Sequence, residues 1–255
     1  MNQQAPGKKR VRPVAGAAKR LIVVSERIQP GLRKHSVATF LIAMILFMVL
    51  APALESLAWG DFIMSTLLSA MMLTGVLAVG ASRRKLILGV MLVIPALVLR
   101  WLNHTQPNPM PPFLFLIGAL TFLLFVMVNL LAFILRSPVV SSEVLCGGVV
   151  VYLILGLLWA LAYTTVAELD PGAFTFTAGN NPNPLMKGVT AYYYSFITLN
   201  TVGYGDIVPA SRTARMLAVM ESTVGVFYMA LMVARLVSLY TSHNEQNEQN
   251  GIKPG

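Results

Sequence analysis

Residues 198–206 read Thr198-Leu199-Asn200-Thr201-Val202-Gly203-Tyr204-Gly205-Asp206. Two glycines one residue apart, Gly203 and Gly205, let a backbone alternate between ordinary and left-handed dihedrals without a Cβ clash. Taken alone, Gly-Tyr-Gly-Asp would also suit a turn in an exposed loop, with the aspartate as a cap. Such a motif is decided by its surroundings. Here a long apolar run lies on either side, near residues 144–167 and 213–240.

The composition agrees with those runs. Of 255 residues, 56% are hydrophobic and only 11% charged, with a mean hydropathy of +0.70. A soluble domain carries about 25% charged residues, so the pattern is that of a polytopic, all-α membrane protein. The net charge of +9 does not indicate nucleic acid, because the basic residues flank apolar runs rather than line a recognition helix. One cysteine, Cys146, excludes an intrachain disulfide. Metal-ligand spacing, phosphate-binding loops and nucleophile elbows are missing from the sequence, and it reads as no enzyme.

A bilayer core requires about 20 apolar residues of helix. Further runs of that kind fall near 37–58, 62–81, 86–102 and 113–135, giving six spans in all, with a kink or a span end expected at Pro52 and Pro95. Lysine and arginine set the orientation. Residues 1–36 hold Lys8, Lys9, Arg10, Arg12, Lys19, Arg20, Arg27, Arg33 and Lys34 against Glu26 alone. Arg83-Arg84-Lys85 fill the turn between the second and third runs, and Arg136 that between the fourth and fifth. The opposite turns carry Glu55 and Asp61, an uncharged stretch from Asn103 to Pro112, and Glu168 with Asp170. Both termini are therefore expected in the cytoplasm and residues 198–206 toward the outer face, in a cell (plasma or inner) membrane. The basic tail is too long for the n-region of a signal peptide. It suits either an anionic lipid surface or a solvated, topology-setting role. Asn103-His104-Thr105, formally a glycosylation acceptor, reads as an ordinary loop.

With this context, residues 144–241 resemble the pore domain of tetrameric cation channels, and Thr201–Asp206 resembles the selectivity filter of potassium channels. The resemblance implies an outer helix, an exposed turret from Glu168 to Lys187, a re-entrant pore helix from Lys187 to Asn200, the filter loop and an inner helix. Carbonyls of Thr201, Val202, Gly203 and Tyr204, with the Thr201 hydroxyl, would replace the hydration shell of K⁺. Gly205 and Asp206 complete the motif. One chain supplies a quarter of each ligand ring, so the resemblance implies a homotetramer. Tyr193 and Tyr194 would pack around Tyr204, with Tyr194 reaching Asp206, and Thr198 would support the filter. The position before the filter threonine, usually Thr or Ser, is Asn200, expected at the cavity entrance. Where some members carry a filter-coupled glutamate, this chain has Ile197.

Gly225 lies nineteen residues past Asp206, at the family's hinge-glycine position. Bending and close helix packing both suit it. Glu221, four residues earlier, is the sole acid in the later spans. It either bonds the back of the pore helix or faces the cavity, and the paired arrangement is the cheaper one. Met229, Met232 and Val233 are candidates for an apolar constriction that gates by dewetting.

Four spans (37–135) and a short linker (136–143) precede the pore half, as in voltage-gated channels. The fourth run, Phe113 to Leu135, holds no Arg or Lys, and the third only Arg100. Each sensing charge contributes about 2.3 kcal/mol per 100 mV, so a voltage-independent channel is expected. Asn129 is read as a residue that bonds helices together. Residues 242–255 read as a short polar cytoplasmic tail, with no cofactor beyond permeant K⁺. A subunit of a K⁺ uptake transporter and a non-conducting, channel-like membrane interaction protein are the alternatives.

Overall fold

The computed structural model describes residues 30–55, 57, 59–79, 83–105, 112–138, 140–177 and 185–249. The expected basic tail before residue 30, part of the turret and the last six residues lie outside that set. Four helices come first: α1 (Pro30–Leu54), α2 (Gly60–Val79), α3 (Arg83–Thr105) and α4 (Pro112–Arg136). Then follow α5 (Ser142–Leu169), strand β1 (Phe174–Phe176), α6 (Val189–Leu199), β2 (Ile207–Pro209) and α7 (Arg212–Gln249). Six of the seven helices are long and apolar enough to cross a bilayer. The exception, α6, has 11 residues and spans about 16 Å, half a hydrocarbon core.

Several boundaries differ from the sequence reading. Pro95 lies inside α3, so no span ends there, whereas α1 ends at Leu54, two residues past Pro52, as a span end there would have it. Neighbouring helices tolerate such prolines in membrane helices. The α3 helix also runs through Asn103, His104 and Thr105, so that triplet is helical rather than a loop. At the other end α7 continues to Gln249, well into the expected polar tail. The Asn129 amide donates back to Phe125 O in its own helix at 2.8 Å. It satisfies itself locally and does not join helices.

One apolar core joins the two halves. Phe40 and Met44 of α1, Met72 of α2, Phe122 and Leu130 of α4, and Ile154 of α5 are all fully or almost fully buried within it. Gly75 admits the Phe40 and Phe122 rings, which would lie 3.1–3.2 Å from a Cβ there. Behind the filter, a second core gathers Tyr163 of α5, Phe174 of β1, and Ala191 and Tyr194 of α6. The two strands pair antiparallel, Phe174 opposite Pro209 and Phe176 opposite Ile207, and so tie the turret to the segment leaving the filter.

Arg100, the lone cation of the third run, is committed to the start of α2. It pairs with Asp61 at 3.3 Å and donates from Nε to Ser65 at 3.0 Å. At the opposite end of the fold, Arg235 of α7 donates from Nη2 to Leu135 O and Ser137 O, both at 3.0 Å. It thereby satisfies carbonyls at the C-terminus of α4 that have no helical partner, where a cation is also favoured by the helix dipole. Replacing Arg235 by Met removes both charged-donor bonds, an expected loss of roughly 1–3 kcal/mol. The check is the thermal unfolding temperature in detergent, which should fall; an unchanged temperature would mean that the clasp contributes nothing.

Candidate functional site: the filter segment and its supports

The helix α6 ends where the motif begins. Asn200 N–H still closes a helical turn onto Phe196 O at 3.1 Å, and Thr201 N–H reaches Thr198 O at 2.9 Å. The chain then leaves the helix with Val202 N–H and Gly203 N–H both directed at Ile197 O, at 2.8 and 3.3 Å. Left-handed dihedrals occur at every second residue: Thr201 (φ 56°), Gly203 (φ 56°) and Gly205 (φ 81°). The two glycines fill the positions expected of them. Thr201 adds a third that residue type does not announce, because a β-branched residue at positive φ is a genuine outlier of the kind that clusters at functional sites.

Residues 201–205 are exposed in the single chain, with Val202 at 51% and Tyr204 at 71%. A Cβ added at Gly203 or Gly205 meets nothing within 4 Å. Glycine is required there by backbone conformation and not by crowding.

Three consecutive tyrosines on α6 point three ways, as a rotation of about 100° per residue dictates. Tyr192 turns to the front bundle and meets the Phe47 edge at 5.9 Å. Tyr193 faces the filter: its ring stacks on Tyr204 (6.5 Å, 7°) and its hydroxyl donates to Asp206 Oδ2 at 2.6 Å. The bond to Asp206 is the leading cause that pushes the Tyr193 pKa up to about 12, so the phenol remains a donor at ordinary pH. Tyr194 turns inward, edge-on to Tyr163 (4.8 Å) and Phe174 (5.5 Å). The expected partner of Asp206 is thus corrected from Tyr194 to Tyr193. Tyr194 and Thr198 form the inner side of the support.

Asn200 is exposed and lines the cleft between α5 and α7. Its Oδ1 accepts from the Tyr152 hydroxyl of α5 at 2.7 Å, and its Nδ2 donates to Phe196 O at 2.8 Å. Two bonds hold the amide against α5 and its own helix. On the far side of the motif, Thr177 Oγ1 donates to Gly205 O at 2.8 Å, with Asp206 O also near at 3.1 Å. That threonine, just past β1, gave no sign of its role in the sequence.

Behind α6 lies Glu221, which is fully buried. Its Oε1 accepts from Ser195 and its Oε2 from Tyr163, each at 2.5 Å; Ser195 Oγ is also 2.7 Å from Gly156 O. The carboxyl group joins α5, α6 and α7 from the rear of the filter, and of the two arrangements weighed for it this is the one adopted. Gly225, one turn on, packs against the end of α6: a Cβ there would lie 2.4 Å from Leu199 O. Close packing is its evident role. Met229, Met232 and Val233 line a cleft of about 370 Å³ between α5 and α7. Met232 packs on Gly148 of α5, 3.5 Å from where a Cβ would be. Its side chain thus touches α5 while lining the same cleft as Met229 and Val233.

Comparison with known proteins places the same region. Residues 139–242 match the family model described as an ion channel. Two-pore potassium channel 4 of Arabidopsis thaliana is 32% identical over 93 residues, 36% of this chain and 32% of that protein. The voltage-gated potassium channel Kch of Escherichia coli is 30% identical over 138 residues, 54% of this chain and 29% of that protein. Two pore potassium channel c of Oryza sativa is 34% identical over 79 residues, 31% of this chain and 16% of that protein. The matches therefore span about a third or less of each relative's length. No solved structure matches.

Glu221→Leu leaves the buried Tyr163 hydroxyl without its acceptor, a cost of about 1–3 kcal/mol, whereas Glu221→Gln retains a polar partner and should cost less. Gly225→Ala sets a methyl against a backbone carbonyl that cannot rotate away, forcing α7 off α6. Unfolding temperatures should rank wild type, then Glu221→Gln, then Glu221→Leu, with Gly225→Ala also below wild type. Equal values for Gln and Leu would remove the case for a polar junction.

Proposed function

Taking residues 139–242 as an ion-channel domain of the potassium channel superfamily, we propose that four copies of this chain close around an axis to form a K⁺-selective channel. The observation that carries the reading is the alternation of left-handed residues at Thr201, Gly203 and Gly205. Successive left- and right-handed residues turn successive carbonyls to one side. Carbonyls of Thr201, Val202, Gly203 and Tyr204, with the Thr201 hydroxyl, then stack as oxygen ligands that replace the hydration shell of K⁺. The ion is cargo, and conduction is passive.

The exposure of this segment supports closure by further copies. So does α7: 11% of its span is buried in the single chain, against 56% for α5. The C-terminal end of α6, with its partial negative charge, favours a cation below the filter. Met229 and Val233, both half exposed on α7, are the gate candidates, and Gly225 and Glu221 fix the inner helix to the filter's support.

Gating by voltage is weak in this proposal. Arg100 is engaged by Asp61 and Ser65 at the outer end of the bundle, and α4 carries no basic residue before Arg136. The channel lies in the cell membrane with both termini cytoplasmic, its basic N-terminal tail against anionic lipid.

The test is K⁺ against Na⁺ flux through purified protein in liposomes. Wild type should pass K⁺ well above Na⁺. Gly203→Ala forces a Cβ into the left-handed region, about 1–2 kcal/mol in each subunit, and should abolish selective flux. Equal flux of both ions through wild type would remove the filter reading.

A further inference from the structure

The helix that leads into the filter has no side-chain cap of its own. Its N-cap is Gly188, at φ 55° and without a side-chain oxygen to offer. The first N–H of α6, on Val189, instead donates to Glu55 Oε1 at 3.0 Å, across 134 residues of sequence. Glu55 is the residue that follows α1, and its own N–H continues the helical pattern onto Ala51 O at 3.1 Å. An acid of the front bundle therefore occupies the positive end of the pore-helix dipole, the end where a carboxylate is stabilising.

The glycine is part of the arrangement. A Cβ at Gly188 would lie 2.4 Å from Glu55 Oε1, so any larger residue would displace the carboxylate. Its positive φ independently favours glycine. A second contact lies further along the same two helices, where Phe47 of α1 meets the edge of Tyr192 of α6. Two contacts on one side fix a direction as well as a position. The far end of α6 carries Ile197 O and Thr198 O, the acceptors of the first three N–H groups of the filter segment. Because a short helix moves as a rod, displacement at Val189 is passed to Thr201.

We propose that Glu55 is a positioning residue for selective conduction: by capping α6 it lets the front bundle hold the filter in register. This rests on the channel reading above, and it assigns the front four helices a mechanical part in permeation. The experiment compares wild type, Glu55→Gln and Glu55→Ala in two measurements on the full chain. Glu55 is exposed, so the variants should fold. The first measurement is amide hydrogen exchange of residues 189–199, with the inner helix as an internal reference. A carboxylate at a helix N-terminus shifts such an equilibrium by a factor of roughly two to five, and Glu55→Ala should accelerate exchange by that factor. The second is the K⁺/Na⁺ flux ratio at equal reconstituted protein. It should fall severalfold in Glu55→Ala, while Glu55→Gln, which keeps an acceptor oxygen, should be intermediate in both measurements.

Unchanged exchange in Glu55→Ala would overturn the cap. Faster exchange with an unchanged flux ratio would overturn the positioning role and leave Glu55 a local structural contact. If wild type itself failed to select K⁺, the channel reading would fall and take the conduction role with it, while the exchange data would still report whether Glu55 holds the helix.

Discussion

The constraint on which the rest depends is a backbone segment that cannot hold itself. From Thr201 to Asp206 the chain belongs to neither helix nor strand, and three of its residues take left-handed dihedrals. Nothing within the segment enforces that shape, and a β-branched residue at positive φ persists only where its neighbours over-determine it. The neighbours can be named. Ile197 O receives two of its N–H groups, Tyr193 holds Asp206, Thr177 holds Gly205 O and Tyr152 holds Asn200. They come from three stretches: α6 for the first two, the residue after β1 for the third and α5 for the fourth.

Those supports hold only if α6 itself is fixed, and it is short. An isolated helix of 11 residues is marginal in water, and one that stops halfway through a membrane has ends that must be satisfied by protein. The fold meets this from three sides. Glu221 and Ser195 bind its rear to α5 and α7, Gly225 lets α7 approach Leu199 closely, and Gly156 of α5 receives Phe196 so tightly that a Cβ there would be 2.4 Å from the ring. Two of those three contacts need glycine, a residue that otherwise weakens a helix. The penalty is accepted where two backbones must come close.

Much of this was legible in the residues, and the limits have physical causes. Apolar runs longer than a bilayer core mark the spans, and paired glycines mark the left-handed positions at 203 and 205, because both signals are local. The division of labour among Tyr192, Tyr193 and Tyr194 was not legible, since it depends on the rotation of α6 against its neighbours. Tyr193 therefore took the part expected of Tyr194. Thr177 and Ser195 carry no signal at all: a lone hydroxyl in an apolar or turret sequence looks the same whether it bonds its own helix or a distant carbonyl. Thr201 was expected as a ligand, but its left-handed backbone follows from the two residues held on either side of it. Asn200 and Met232 line the cleft between α5 and α7, and their contacts with Tyr152 and Gly148, one helix away, left no mark in the sequence.

Two charged residues of the membrane domain follow one rule. Glu55 sits on the N-terminal end of α6 and Arg235 on the C-terminal end of α4, each with the sign that the helix dipole favours. Neither pairs with an opposite charge there; each is matched to backbone groups that a helix end leaves unsatisfied. Arg100 differs only in having Asp61, and it too lies at a helix end. Charges placed at the ends of spans lie at the edges of the transmembrane field, where their movement does little electrical work. They remain effective as fasteners, because a charged hydrogen bond to a helix end is directional. A four-helix bundle built this way is well suited to brace. The two residues that carry the bracing, at opposite ends of the fold, fasten the bundle to the helix before residues 201–206 and to the helix after them.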